Sequence, residues 1–424
     1  MPPFRNVNLS PRAVDTTTAT AATAASEQFT TQWNNPSDVF SVLLILGGDV
    51  IGRALAQVAG TRVPFLPFSF GWVAYSVSTV VSAVGENRLM PVADFPCKVI
   101  NGRTGHVRDN ASWIIGRMVR DFAYWGNRSG NREGNREGNR GLCRNTPDAS
   151  GQNIIQQRMS DLLDEKWKQL REATEKGDPE PPRPTQAGLC VSVYEADAAS
   201  KSPRLRGPLA WIGVATAVVQ LGVAAAPWAR YGDWSVFFVT AMGTFLAFLT
   251  TRLPQWAKEK WSCRDRVKKT VVLTKGNGSQ HAIVIISHGD GLDLEDLASG
   301  SLGDVDSPSR LTRASTCVLA VAWIMLLVAA AGIKEHTWFL LGVGGLGMAE
   351  NLFEAGKRRE PESYGIPLRF REVIAQTSVM STLYEVEDKY PRLGWSMLPT
   401  FFPGMLREDE MKRWDEYEKR FAKK

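Results

Sequence analysis

Hydrophobic positions in this chain gather into six blocks separated by long polar tracts. The blocks are Val39–Gly60, interrupted by Asp49 and Arg53, then Val63–Gly85, uncharged over 23 residues, and Pro208–Trp228, with Thr216 and Gln220 as its polar side chains. Trp234–Thr251, Ala314–Ile333 and Thr337–Phe353 follow, the last meeting Glu350 near its end. Uncharged runs of about 20 residues match the roughly 30 Å of hydrocarbon in a bilayer, whereas runs of about 10–14 suit buried core helices. The pattern predicts an α-helical membrane protein with six transmembrane helices. Thr61–Arg62, a turn containing Arg230, and Lys334–His336 join the blocks in pairs, giving three hairpins.

Basic residues then orient the hairpins. The three short turns hold one each, Arg62, Arg230 and Lys334, while the outer flanks hold many more. The densest flank follows block four, with Arg252, Lys258, Lys260, Arg264, Arg266, Lys268 and Lys269. Lys and Arg are retained on the cytosolic side of a membrane, so both termini and the long loops are expected there. Within the flank 252–269, Trp256 and Trp261 alternate with cations next to a span. That arrangement suits anionic lipid headgroups better than nucleic acid. The expected partners are therefore the lipid bilayer and cytosolic proteins, and no nucleic acid.

The expected division is a disordered tail over 1–36, hairpins over 37–86, 207–252 and 314–353, cytosolic loops over 87–206 and 253–313, and a cytosolic C-terminal region over 354–424. The tail shows no signal-peptide pattern. Its Thr/Ala tract, Asp15–Ser26, and the GNR repeat at 126–141 have too little apolar surface to fold by burial. Elsewhere the loops carry structure signals. Lys98–Asn101 and Thr104–Arg108 flank Asn101–Gly102, and Thr270–Thr274 and Ala282–Ile286 flank Gly276–Asn277–Gly278, two hairpin patterns. Leu189–Tyr194 alternates as a strand, Ile154–Lys176 reads as an exposed helix, Asp178–Pro184 as a Pro-rich linker, and Glu372–Lys389 as a helix. Together they imply a small cytosolic α+β domain assembled from the two long loops.

Composition alone conceals this picture. Across 424 residues the chain is 44% hydrophobic and 22% charged with mean hydropathy −0.18, averages typical of soluble proteins. Fourteen Trp fit membrane–water interfaces. Five Cys, an odd number without a CxxC spacing, argue against a secreted disulfide scaffold. The net charge of +6 matters through its location. Sequons begin at Asn110, Asn127 and Asn277, all in loops placed in the cytosol and so expected to be unglycosylated.

Few motifs carry chemistry. Gly342–Val343–Gly344–Gly345–Leu346–Gly347 is a literal GxGxxG. Gly342, Gly344 and Gly347 would let a backbone approach a pyrophosphate if a strand preceded and a helix followed. No strand–helix alternation continues afterwards, and glycines also permit close helix approach within membranes, which is the reading we favour. Asp49 and Arg53 stand one helical turn apart and imply either a polar path or a structural ion pair. Gln220 and Glu350 complete the intramembrane polar candidates. The acidic run His288–Asp296 lacks the EF-hand spacing and reads as a Gly turn entering an acidic helix start. The four His show no metal spacing, and Walker A, GxSxG, HExxH and kinase patterns are absent. No catalytic residue, cofactor or metal is expected.

Several stretches, WNNPSDVFSVLLILGGDVIGRALAQ (33–57), FSFGWVAYS (68–76), PWARYGDW (227–234), LTKGNGSQH (273–281), GLDLEDLA (291–298), WFLLGVGGLGM (338–348) and LPTFFPGMLREDE (398–410), carry a resemblance. Through them the chain resembles a family of uncharacterised fungal multi-pass membrane proteins, over most of its length apart from the tail and roughly 126–185. The resemblance implies a membrane architecture, with WFLLGVGGLGM in a span, and no catalytic residues. The leading functional expectation is a non-enzymatic membrane scaffold. A transporter or channel using Asp49, Arg53 and the polar span positions is the alternative, and a nucleotide-dependent enzyme using the Gly run is the third.

Overall fold

The computed structural model describes residues 37–61, 64–86, 88–126, 154–173, 180–186, 188–201, 211–300 and 308–422. The Thr/Ala tail, the GNR repeat after Gly126 and the first residues of the Pro-rich linker lie outside them. Two layers result, one of apolar helices and one built on a sheet.

The helical layer contains α1 (Ser37–Val58), α2 (Gly71–Val81), α5 (Ile212–Tyr231), α6 (Ser235–Thr251), α9 (Arg310–Ala331) and α10 (Thr337–Gly356). The sheet layer contains β1 (Lys98–Asn101), β2 (Val107–Asp109), α3 (Trp113–Arg120), α4 (Ile154–Ala173), β3 (Cys190–Ala196), β4 (Thr270–Thr274), β5 (His281–Ser287), α8 (Leu294–Ser299), β6 (Leu368–Ala375), α11 (Val379–Lys389), α12 (Leu393–Phe401) and α13 (Glu408–Ala422). A short helix, α7 (Gln255–Lys260), lies between the layers.

The six-span expectation is overturned. Among the described residues, two helices are long and apolar enough to cross a membrane, α5 and α9. Block two fails because Pro64 and Pro67 interrupt it: a proline ring removes a helical donor and drives the preceding residue toward extended geometry. Pro64–Ser69 is accordingly non-helical, and α2 begins only at Gly71 and runs for 11 residues. At 1.5 Å per residue that is roughly 16 Å, about half a bilayer core. The α6 helix has 17 residues, while α10 carries Glu350, Asn351 and Glu354 and α1 carries Asp49 and Arg53.

The sheet has six strands in the order β2-β1-β4-β5-β3-β6. All neighbours are antiparallel except β3 and β5. Both expected hairpins and the expected strand around Leu189–Tyr194 form, and β6 is an addition. Its residues 372–375 were expected in a helix, but the strand pairs with β3 and the helix starts after Ser378, whose hydroxyl accepts from the Ser381 N–H. Alternation along the strands fills both faces. Val99, Tyr194, Val271, Leu273, Ile283 and Ile285 pack under α3 and α4. Ile100, Val191, Val193, Val272, Val284 and Ile374 pack under α11, α12 and α13. Covering on both sides explains the unbroken apolar run AIVII in β5.

One end of the sheet receives the chain from the helical layer. Ala196 is in register with Ser287 and Leu368, and Thr270 with Ile286. There the chain passes from α7 into β4 and from α10 into β6.

Candidate functional site

The residues singled out by sequence do not converge. Asp49 and Arg53 do pair, at 3.0 Å across one turn, yet their side chains are 75% and 48% exposed on the outer side of α1. Neither faces the interior of the helical layer, where a polar path would run. Glu350 is half-buried on α10. Gln220 is fully buried and already engaged: its Nε2 donates to the carbonyls of Phe68 and Val343, both at 2.8 Å.

The non-helical segment 64–69 explains Gln220 and the Gly run together. Its carbonyls cross a helical interior without a ladder partner, and an unpaired buried carbonyl costs about 1–3 kcal/mol. Side chains from the adjoining α2 and from distant helices supply the donors. Gln220 serves Phe68, Trp72 Nε1 donates to the Pro67 carbonyl at 3.0 Å, and Asn351 Nδ2 donates to Ser69 Oγ at 3.1 Å. The GxGxxG lies inside α10, so it forms no strand-to-helix turn. A Cβ at Gly344 would lie 2.1 Å from the Phe70 ring, and one at Gly347 would lie 1.8 Å from the Phe68 carbonyl oxygen. Gly342 meets nothing within 4 Å. Gly344 and Gly347 make room for the Phe70 ring and the Phe68 backbone.

A buried charge cluster joins the two layers. Lys260 at the end of α7 is buried, and its Nζ donates to the carbonyls of Gln57 and Ala59 at 3.0 Å each, at the C-terminal end of α1. Burial, with Arg359 nearby, holds this amine well below its ordinary pKa. Arg359 is buried against Glu354, and its N–H donates to Asp121 Oδ2. Arg117, also buried, pairs with Asp94 at 2.9 Å and donates to the Ala355 carbonyl. Gln57 Oε1 accepts from the Tyr364 hydroxyl. Every member links α1, α3, α7 or the end of α10, so the cluster fixes the sheet layer onto the helices.

Part of the basic flank is likewise paired within the protein. Asp293 caps α8 by accepting from Glu295 N and Asp296 N, and pairs with Lys269 at 2.6 Å. Arg264 binds Asp296 and Asp293. The acidic run thus pairs with Arg264 and Lys269 of the flank, while Arg252, Lys258, Arg266 and Lys268 are exposed.

Lys268 and cations from other segments border a groove of about 1060 Å³ at the sheet end where β4 and β6 begin. Arg103 and Thr104 come from the β1–β2 turn, Lys268 and Lys269 from the approach to β4, His288 from the end of β5, Arg371 from β6, and Tyr390 and Arg392 from the α11–α12 connection. Among the described residues, its lining contains no Asp or Glu. Lys269 and Arg371 are tied to carboxylates behind the wall, Glu295 and Glu195 respectively. Arg103, Lys268 and Arg392 have no ion-pair partner among the described residues. Sequence reasoning missed this groove because its residues come from five separate segments. No family model, curated protein or solved structure matches the chain.

Proposed function

We propose that this protein is a membrane-anchored interaction protein. In this reading α5 and α9 sit in lipid and the sheet layer is presented at one membrane surface. The carrying observation is the outer surface of α5 and α9, where Val218, Val318, Met325 and Val328 are 63–67% exposed. A soluble protein rarely leaves so continuous an apolar surface uncovered. Twenty residues of α5 span about 30 Å, the thickness of a bilayer core. Aromatic side chains rim that surface: Trp228, Tyr231, Trp234 and Trp338 are exposed around the α5–α6 and α9–α10 turns, and Trp211 at the opposite end of α5. The turns are tied together by His336, which stacks on Tyr231 at 4.5 Å and approaches Asp233 at 3.1 Å. Cationic residues concentrate at the sheet side, which favours a cytosolic sheet layer.

Alkaline-carbonate extraction tests the anchor: the chain is expected to stay with the membrane pellet, and release into the supernatant overturns the reading. Proximity labelling from the C-terminus tests the interaction role. Reproducible cytosolic neighbours are expected, and their absence counts against it.

A further inference from the structure

We propose that the groove bordered by Arg103, Lys268 and Arg392 binds a ligand bearing phosphate groups. Three observations converge. The groove is large enough for more than one phosphate, at about 1060 Å³. Its free cations arrive from three separate elements, the β1–β2 turn, the strand preceding segment of β4 and the α11–α12 connection, so they were brought together by the fold and not by a local charge run. Like charges gathered around one concavity repel, and an anion of two or more charges relieves more of that repulsion than a single monovalent one.

The third observation is how Arg392 is held. It adopts a left-handed backbone, φ 70°, uncommon for a residue with a Cβ. The buried Glu387 carboxylate fixes it there, accepting from Arg392 N at 2.7 Å and Trp395 N at 2.9 Å. A strained backbone braced by a buried carboxylate presents this guanidinium at the groove. Arg supplies a planar fork that matches phosphate oxygens, and Lys adds a compact charge. The Tyr390 hydroxyl is committed to Glu372, so it orients the wall and is not a phosphate donor.

The groove lies at the sheet end through which the chain reaches the helices. A phosphorylated lipid headgroup and a soluble phosphate compound share the same chemistry here, and the experiment separates them. The site stands on its own geometry, so its failure leaves the anchor reading in place, and the reverse.

The test uses the full chain purified in a neutral detergent at low salt. Inorganic pyrophosphate is titrated calorimetrically into the parent, Arg103→Gln/Lys268→Gln/Arg392→Gln, and the control Lys168→Gln on α4. The parent and control should bind alike, and the triple variant should weaken by at least about tenfold. Arg103→Gln/Lys268→Gln carries the comparison if the triple variant loses its melting transition, because it leaves the Arg392 turn intact. Parallel flotation uses phosphatidylcholine vesicles with and without a phosphoinositide. Groove-dependent recruitment to phosphoinositide vesicles assigns a lipid headgroup, and pyrophosphate binding without it assigns a soluble ligand. Equal affinity of parent and groove variants, or no pyrophosphate binding by the parent, overturns the proposal.

Discussion

Replacing Gly347 with alanine should destabilise the protein, although the same change two residues earlier should stabilise it. Glycine inside a helix normally costs about 0.5–1 kcal/mol relative to alanine. At Gly345 a Cβ meets nothing within 4 Å, so Gly345→Ala should recover that amount. At Gly347 the Cβ would stand 1.8 Å from the Phe68 carbonyl oxygen and 2.6 Å from Gln220 Nε2. Relief needs a backbone shift in 64–69 of more than an ångström, or loss of the Gln220 bond that holds that carbonyl. Overpacking of this kind costs about 1–3 kcal/mol, and stranding the carbonyl adds about 1–3 more. The two variants should thus differ by about 3 kcal/mol, or roughly 3 °C in Tm for a chain of 424 residues. Thermal melting of the detergent-solubilised full chain by tryptophan fluorescence measures it. Two variants shifting Tm in the same direction by the same amount would refute the packing explanation for the Gly run.

Three further outcomes follow from the described geometry. Because burial depresses the Lys260 pKa in the folded chain, the unfolded chain binds the extra proton between that depressed value and the ordinary one of about 10.4. Stability should rise with pH over that interval, and Lys260→Met should flatten the slope of Tm against pH; identical slopes would count against it. Glu354→Gln leaves the buried Arg359 charge without its partner and should cost about 3–5 kcal/mol, whereas Glu354→Leu/Arg359→Met should recover most of it, both read from melting. Cys317 is exposed on α9, so in intact membranes a water-soluble maleimide should leave it unmodified until SDS is added; equal modification before and after, mapped by mass spectrometry, contradicts its placement in lipid.

The strands were the more legible part of the chain. Gly276 and Gly278 adopt φ of 100° and 82°, and a turn rich in glycine between two apolar runs announces that need directly. Cys190–Ala196 declared itself by alternation. Block two was misread because a count of uncharged residues is blind to Pro64 and Pro67, whose effect is on the backbone and not on transfer free energy. The β6 sequence LRFREVIA alternates charges with apolar residues in a way that suits a helix face nearly as well, and only the free edge of β3 decides it. Lys260 and Arg359 lay within segments read as flank and tail, and nothing local distinguishes a buried cation from a solvated one. The groove depended on register: Arg103, Lys268, Arg371 and Arg392 meet only after the strands align.

The non-helical run through the helical layer also constrains the order of assembly. Its carbonyl at Phe68 waits for Gln220, 152 residues downstream, and Ser69 waits for Asn351, 282 residues downstream. Non-helical backbone is stable in an apolar interior only when protein groups satisfy it. The segment 64–69 therefore has its full set of partners only once α10 has been made, and a chain that stops before α10 leaves Ser69 without Asn351. The C-terminal helices complete the N-terminal ones, which makes the helical layer a single cooperative unit despite a chain order that presents it as three successive pairs.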